Sequence, residues 1–319
     1  VDWRIKGTIQ KVLGYVPGGE RIHYLLQRRG GGLTDFAREC DIKVDDWRLM
    51  MGHLRTAGAR VDGGTLLEMG TGWYPTFPLC LYLAGASRVH TFDLNRHLKP
   101  DMTIALAERL ANHVALIARE SGRPEVDVAT RQQAVARALR GGATIGEATG
   151  GVIDYRAPAD ASKTGLDAAS IDVVFSNSVL EHVPGAVIEA CLVEAMRIVR
   201  PGAIVFHSVN CGDHYAYVDR RIHQLHYLQF SDAAWAKWNN AFLYQNRLRA
   251  VDFTDMATRA GFTIEIDTSR AKPERLEQLD SIRVDPAFAR YTRDQLAITS
   301  IDFIGRAPTS PTRPNPRSG

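Results

Sequence analysis

Thr65-Leu66-Leu67-Glu68-Met69-Gly70-Thr71-Gly72, followed by Arg88-Val89-His90-Thr91-Phe92-Asp93, is the stretch that decides the fold. Residues 65–69 are a short apolar run that ends in glycines, the pattern of a strand feeding a turn. Pro75 to Leu83 then reads as a helix, with prolines near its start, where a missing N–H costs little, and Gly85 at its end. The second strand, 88–92, is terminated by Asp93. Strand, helix and strand in a span of about 30 residues form a βαβ unit, which implies parallel strands and a right-handed crossover.

Downstream the rhythm continues. A third strand is expected at Val152-Ile153-Asp154-Tyr155 and a fourth at Ile171 to Ser176. Val187 to Val199 is an amphipathic helix stopped by Arg200-Pro201-Gly202, and Ala203 to His207 is the fifth strand. Asp252 to Ala260 reads as a helix capped by Gly261, then a strand from Phe262 to Ile266. A last strand, Ile298 to Ile304, is expected to pair at the sheet edge. Between 97 and 150 the pattern is helical instead. Ile104, Ala107, Leu110, Val114 and Ile117 share one apolar face, and a second helix spans Val126 to Leu139. That is long for one crossover, so 97–150 is assigned as a helical insertion after strand 2.

Residues 1–60 form an N-terminal helical extension, broken at Pro17-Gly18-Gly19 and at Gly30-Gly31-Gly32. Ile9, Val12, Leu13 and Val16 have helical spacing, as do Ile22, Leu25 and Leu26. These helices either cover one side of the core or form part of a substrate lid. The main domain is 61–307, and the Pro-, Ser- and Arg-rich tail 308–319 is expected to be disordered.

The 319 residues are 45% hydrophobic and 24% charged, ordinary for a globular protein able to bury a core. A net charge of +3 without a basic block argues against nucleic acid as partner; Arg28-Arg29 and Arg220-Arg221 read as solvated surface. Cys40, Cys80, Cys191 and Cys211 are widely spaced, with no C-x-x-C pair, and read as reduced packing residues. No apolar signal core or membrane-length run is present, so a cytoplasmic protein without membrane contact is expected. A homodimer is left open.

Open parallel sheets bind ligands beyond the carboxyl ends of their strands. Glu68, Gly70 and Gly72 sit at such an end, where glycine admits close ligand approach. Asp93 closes the neighbouring strand, and a carboxylate there can accept two hydrogen bonds from a ribose diol. Strand, loop, helix and acid together point to a nucleoside-type cofactor. The dinucleotide fingerprint needs a third glycine where Pro75 stands, and the Glu68 carboxylate opposes a pyrophosphate. S-adenosylmethionine (SAM), with its sulfonium and α-amino group, suits that carboxylate better. NAD is the minor alternative.

The residues resemble a family. Leu66 to Gly72 is similar to the first motif of class I SAM-dependent methyltransferases, and Thr91-Phe92-Asp93 to the second. Ala159-Asp160-Ala161 and Ser170 to Val183 are similar to the third and fourth. Met196 to Gly202 resembles the approach to the fifth strand, and Ala260-Gly261-Phe262 a turn late in that fold. The resemblance spans about 65 to 305 without 97–150. It implies a Rossmann-like, mostly parallel seven-stranded α/β sheet with helices on both faces. It also implies that Asp93 holds the ribose hydroxyls, Leu94 packs on adenine, and Asp160, beside Ala161, accepts from the adenine amine. Glu68, Gly70, Thr71 and Gly72 would line the methionine portion, with Asn177 beneath the cofactor. Tyr74 stands where many members carry a third glycine, and Trp73 adds bulk, either narrowing the site or packing outward.

Methyl transfer requires alignment of the acceptor, exclusion of water and, for a hydroxyl, a base. His182 lies after strand 4. After strand 5, His207, Asn210, Asp213, His214, Tyr215, Asp219, His223 and His226 cluster. An Asp213–His214 pair is the favoured base, ahead of His182. Only His223 and His226 are close in sequence among the later histidines, so no metal is expected. The aromatic run from Tyr227 to Phe242 walls the acceptor site or simply packs; Arg247 and Arg249 bind an acidic group or are surface charge. The expected activity is transfer of a methyl group to a small-molecule acceptor, at a hydroxyl oxygen of a metabolite or sugar. S- or N-methylation, a nucleotide-dependent oxidoreductase and a silent SAM-binding subunit are the alternatives.

Overall fold

β1 (Thr65–Met69) lies near the middle of a seven-stranded sheet, with β2 (Arg88–Phe92) on one side and β4 (Ile171–Asn177) on the other, both parallel to it. These positions come from a computed structural model, which describes residues 2–17, Ile22, Tyr24, Leu26, 34–240 and 242–310. The glycine breaks at Gly18-Gly19 and Gly30-Gly31-Gly32, Leu25, Arg28-Arg29 and residues 311–319 lie outside the described residues.

β3 (Ile153–Arg156) extends the sheet beyond β2, and β5 (Val199–Asn210) beyond β4, again parallel. β6 (Thr263–Asp267) and β7 (Ser300–Arg306) complete the order β3-β2-β1-β4-β5-β7-β6, with β7 antiparallel to both neighbours. The fold is therefore the expected Rossmann-like, mostly parallel sheet. One expectation is corrected: the last strand is not at the edge. It inserts between β5 and β6, and its burial on both faces accords with that place. Ile301 and Phe303 on one face and Ile304 on the other are all buried, which suits a strand covered on both faces. β6, with alternate residues exposed, takes the edge.

Helices cover both faces. Along β1, β4 and β5, Leu66, Val173, Phe175, Ile204 and Phe206 face one core, and Leu67, Val174 and Val205 face the other, the two-residue period of a strand. The first core is completed by α2 (Phe36–Thr56), α3 (Thr76–Leu83), α4 (Pro100–Arg109), α5 (Val114–Ser121), α6 (Glu125–Arg140) and the short α7 (Ile145–Ala148). A 3-10 turn, Leu110–His113, splits the helical face read across 104–117, yet Ala107, Leu110 and Ile117 remain fully buried. α8 (Gly185–Ile198) and α10 (Ala250–Arg259) cover the second core.

A third cluster joins Trp3, Tyr215, Tyr227, Leu228, Trp235, Leu279 and Phe288. It draws on α1 (Trp3–Tyr15), α9 (Asp232–Trp235), α11 (Pro273–Asp280) and the loops around them, while α12 (Arg293–Ala297) adds Leu296 and Ala297. The apolar spacing of α1 does not face this cluster: Ile9 and Val12 are 47% and 56% exposed, and Val16 is exposed too. The buried side is instead Trp3, Gly7 and Gln10. Gly7 explains the choice, because a Cβ there would stand 2.9 Å from Tyr215 Oη. Trp3 meets Trp238 edge-on at 4.5 Å. A glycine and one tryptophan hold this helix down, and its aliphatic stripe faces outward.

Arg249 is fully buried and donates to the carbonyls of Cys211 at 2.8 Å and Leu296 at 3.1 Å and to Tyr227 Oη at 2.7 Å. Arg247, also buried, donates to the carbonyls of Tyr227 and Phe230. Both arginines therefore cross-link loops; neither is surface charge nor free to meet a substrate. Tyr227 and Trp235 of the aromatic run pack in the same cluster. All four cysteines are buried and free. No described helix is long and apolar enough to cross a membrane.

Candidate active site

The chain leaves β1 toward β2 on one side and later enters β4 on the other, so the crevice beyond Met69 is a topological switch point. Two positive-φ glycines shape it. Gly70, at φ +81°, donates its N–H to Phe92 O at 2.8 Å, and a Cβ there would come 2.6 Å from Val179 Cγ2. Gly72, at φ +73°, would point a Cβ into open space. Gly70 is therefore required by the protein's own packing. Gly72 faces the room a ligand would take.

The two acids expected from the sequence meet this loop. Asp93 is 9% exposed, and its Oδ2 accepts the Gly72 N–H at 2.8 Å. Burial pushes its carboxyl upward against the opposing hydrogen bond from Gly72. Glu68 is 5% exposed and accepts from Thr91 Oγ1 at 2.5 Å; Thr71 Oγ1 bonds Thr91 in turn. Burial drives the Glu68 carboxyl up to about 8; the nearby Asp93 adds to the rise, while the Thr91 and Thr71 hydroxyls and Lys43 oppose it. Two buried carboxyls beside amide and hydroxyl donors form a pocket that favours a cation.

A cleft of about 410 Å³ opens over the loop, lined by Lys43, Glu68, Gly70, Thr71, Gly72, Trp73, Tyr74, Asp93, His97, Asn177, Val179 and His182 among others. Trp73 and Tyr74 therefore line it, with Tyr74 held edge-on by Phe36 at 5.0 Å. Ser178, at φ +55°, turns the chain after β4 so that Val179 reaches Gly70. Leu94 is 70% exposed and outside this lining. Asp160 is exposed too; its Oδ1 accepts from the N–H of Ser162 at 2.8 Å and its Oγ at 2.7 Å, bonds that hold the carboxyl below its ordinary value. Ala161 is half-buried beside it.

Lys43 is a site residue with no signature in the sequence. It lies on α2, and its Nζ donates to Asn177 Oδ1 at 2.6 Å and Asp46 Oδ2 at 3.1 Å. Trp47, Met50 and Leu54 of the same helix are buried in the first core. α2 thus belongs both to the core and to the cleft wall.

The later histidines sort differently from expectation. Asp213 does not pair with His214. Its Oδ1 accepts the Tyr215 N–H at 2.8 Å and its Oδ2 bonds His226 Nδ1 at 2.9 Å. Capping the 3-10 turn His214–Tyr217 commits the carboxylate to that turn and to a more distant imidazole. His207 is buried in the sheet against Ser176 Oγ at 2.7 Å. His214 instead meets His182 edge to face, ring centroids 4.9 Å apart, next to Glu181. Donor atoms of Glu181, His182 and His214 all lie within 4.8 Å of one another. Burial lowers both imidazoles, His214 to about 3, and raises Glu181 to about 8. His182 and His214 are 32 residues apart, so no spacing rule could have joined them.

Residues 111–207 match the family described as "Methyltransferase domain", under a third of the chain. That stretch runs from the 3-10 turn after α4 through β3, β4 and most of β5; the glycine loop precedes it. Over that stretch the chain is similar to a methyltransferase domain. No curated protein matches the sequence. Among solved structures, the chain is similar to geranyl diphosphate C-methyltransferase from Streptomyces coelicolor A3(2), at 13% identity over 83% of this chain and 79% of that one, TM-score 0.45. It is similar to phosphoethanolamine N-methyltransferase 2 of Haemonchus contortus at 16% identity, 82% and 52% coverage and TM-score 0.44. A SAM-dependent methyltransferase from Mesorhizobium loti gives 14%, 80% and 96%, and 0.40. Likenesses this distant add nothing about the acceptor.

Proposed function

We propose that this methyltransferase domain transfers a methyl group to a hydroxyl oxygen of a small molecule, a metabolite or sugar. The observation that carries the reading is that one cleft is lined both by the acidic glycine loop and by His182, whose ring meets His214 beside Glu181. Bound SAM would supply an electrophilic methyl group on a sulfonium. Asp93 would hold the ribose diol while keeping the Gly72 amide in place. Glu68 would face the cationic portion through the Thr71–Thr91 hydroxyl pair, and Asn177, tied to Lys43, would close the floor.

At the acceptor end, the bond between His182 Nδ1 and Tyr244 O at 2.7 Å assigns the ring proton to Nδ1. Nε2 then carries the lone pair. With burial lowering both rings, His182 and His214 are neutral at neutral pH, each with a lone pair open to a hydroxyl or a cation. A hydroxyl needs such help at neutral pH. The cleft is small and the net charge only +3, which favours a small acceptor over nucleic acid.

Calorimetry with SAM and with NAD(H) tests the cofactor end. Tight SAM binding, weakened about 10–100-fold in Asp93→Ala, is expected from the loss of charge-assisted hydrogen bonds. NAD binding without SAM binding overturns the reading. A screen of hydroxyl, amine and thiol acceptors that follows S-adenosylhomocysteine release tests the other end; turnover confined to amines or thiols overturns the oxygen assignment.

A further inference from the structure

We propose that Glu181, His182 and His214 form a divalent transition-metal site, of the kind that takes Zn²⁺, with an open coordination position on the acceptor side of the cleft. The chemistry of the donor set points there first. Two imidazoles and one carboxylate suit Zn²⁺ or Fe²⁺ rather than Mg²⁺ or Ca²⁺, which take oxygen ligands. Three protein ligands are the complement of a metal that keeps a position for substrate or water.

Two unpartnered atoms are the second observation. Glu181 is 3% exposed, and its Oε2 has no hydrogen-bond partner among the described residues; His214 Nε2 is likewise buried and without a partner among them. A buried carboxyl oxygen and a buried imidazole nitrogen left bare each cost free energy unless something binds them. They do not bond each other, although both belong to a group whose donor atoms lie within 4.8 Å. Ligand atoms about 2.1 Å from a tetrahedral ion stand roughly 3.4 Å apart, so side-chain shifts of about an ångström would close the site.

The surroundings are those of a ligand set. Asn210 N donates to the other Glu181 oxygen at 3.3 Å. His182 Nδ1 is engaged by Tyr244 O, the backbone contact that orients a metal-binding imidazole through its remote nitrogen. The backbone N–H of His214 donates to Gln245 Oε1 at 3.1 Å, which pins the turn that carries the ring. His182 lines the cleft, so an ion bound there would be reached from the acceptor side. Its use in holding an acceptor oxygen rests on the methyl-transfer reading; the binding of the ion does not.

The test uses the full chain without a histidine tag, stripped with chelator and titrated with Zn²⁺ alone, with Co²⁺ as a spectroscopic probe. One ion per chain is expected, weakened by more than about tenfold in both Glu181→Gln and His214→Ala. Binding of S-adenosylhomocysteine, whose loop is elsewhere in the cleft, should persist in both variants. No stoichiometric ion in the wild-type chain, or an ion that both variants retain, overturns the site. If a variant fails to fold, anomalous scattering from Zn²⁺ in wild-type crystals decides. A peak among the three side chains supports the site, and its absence there overturns it. Failure of SAM to bind the wild-type chain would sink the methyltransferase reading and leave the ion measurement standing.

Discussion

The imidazole of His214 meets that of His182 edge to face, their centroids 4.9 Å apart, although Asp213, its neighbour in sequence, is committed to Tyr215 and His226. His182 lines the cleft and His214 stands behind it. The first prediction follows from this order. His214→Ala should leave S-adenosylhomocysteine affinity unchanged in calorimetry and lower turnover about 100-fold, the scale of lost acid–base assistance. Asp213→Ala should instead act through folding, lowering the melting temperature by releasing the Tyr215 N–H and His226. Normal turnover in His214→Ala removes that residue from the reaction.

Gly70 and Gly72 have nearly the same φ but different surroundings, so alanine should separate packing from ligand room. At Gly70 the new Cβ meets Val179 at 2.6 Å; the strain and overpacking should cost about 1–3 kcal/mol of stability, partly recovered by adding Val179→Ala. At Gly72 the Cβ meets nothing within 4 Å among the described residues, so stability should fall only by about 1–2 kcal/mol for the left-handed backbone. SAM affinity, by contrast, should fall steeply at Gly72. Denaturant midpoints and calorimetry on the same two variants distinguish the cases. An unaltered affinity in Gly72→Ala would mean that the cofactor does not pass over this glycine.

Much of this loop was legible in advance because its signals are local. The bounds of β1 and β2 follow from short apolar runs closed by glycine or aspartate, and the structure ends them at Met69 and Phe92. Contacts between distant segments are not written that way. The stripe Ile9, Val12, Val16 has helical period, but a close approach at Gly7 and an anchor at Trp3 turn it outward. The last strand carries no mark of its position, since an apolar alternation fits an edge or an interior equally until its neighbours are known. Lys43 looked like any helix charge, and only the fold brings it to Asn177. Arg249 read as surface because arginine seldom is fully buried; the five-donor guanidinium finds enough carbonyls here to be an exception.

Trp47 tests how deeply α2 belongs to the domain. Its side chain is fully buried with Cys40, Val44 and Met50 in the first core, and its Nε1 makes no hydrogen bond among the described residues. Trp47→Ala should therefore cost about 3–5 kcal/mol in urea unfolding. Trp47→Phe, which gives up no hydrogen bond, should cost under about 1.5 kcal/mol. A cost below about 1 kcal/mol for the alanine variant would mark α2 as a detachable extension and remove the structural basis for Lys43 in the cleft wall.

Glu68 makes the stability of the protein depend on pH in a definite direction. Burial raises its carboxyl from an ordinary 4.5 to about 8, helped by Asp93 and opposed by the Thr91 and Thr71 hydroxyls and by Lys43. Between those two values the folded chain keeps a proton that the unfolded chain has already released. The contribution is thus full below 4.5 and is lost as pH rises toward 8. Glu68→Gln holds a neutral amide of the same shape and has no proton to lose. The wild-type melting temperature should then fall relative to that of Glu68→Gln across this window, with the difference levelling off above about 8. A difference independent of pH would show that the Glu68 carboxyl ionises normally, as it would if solvent reached it. In that case the carboxylate would already be charged in the free protein, and SAM affinity would not rise with pH across the window. With the raised value it should rise, because a cation placed beside Glu68 favours the ionised form.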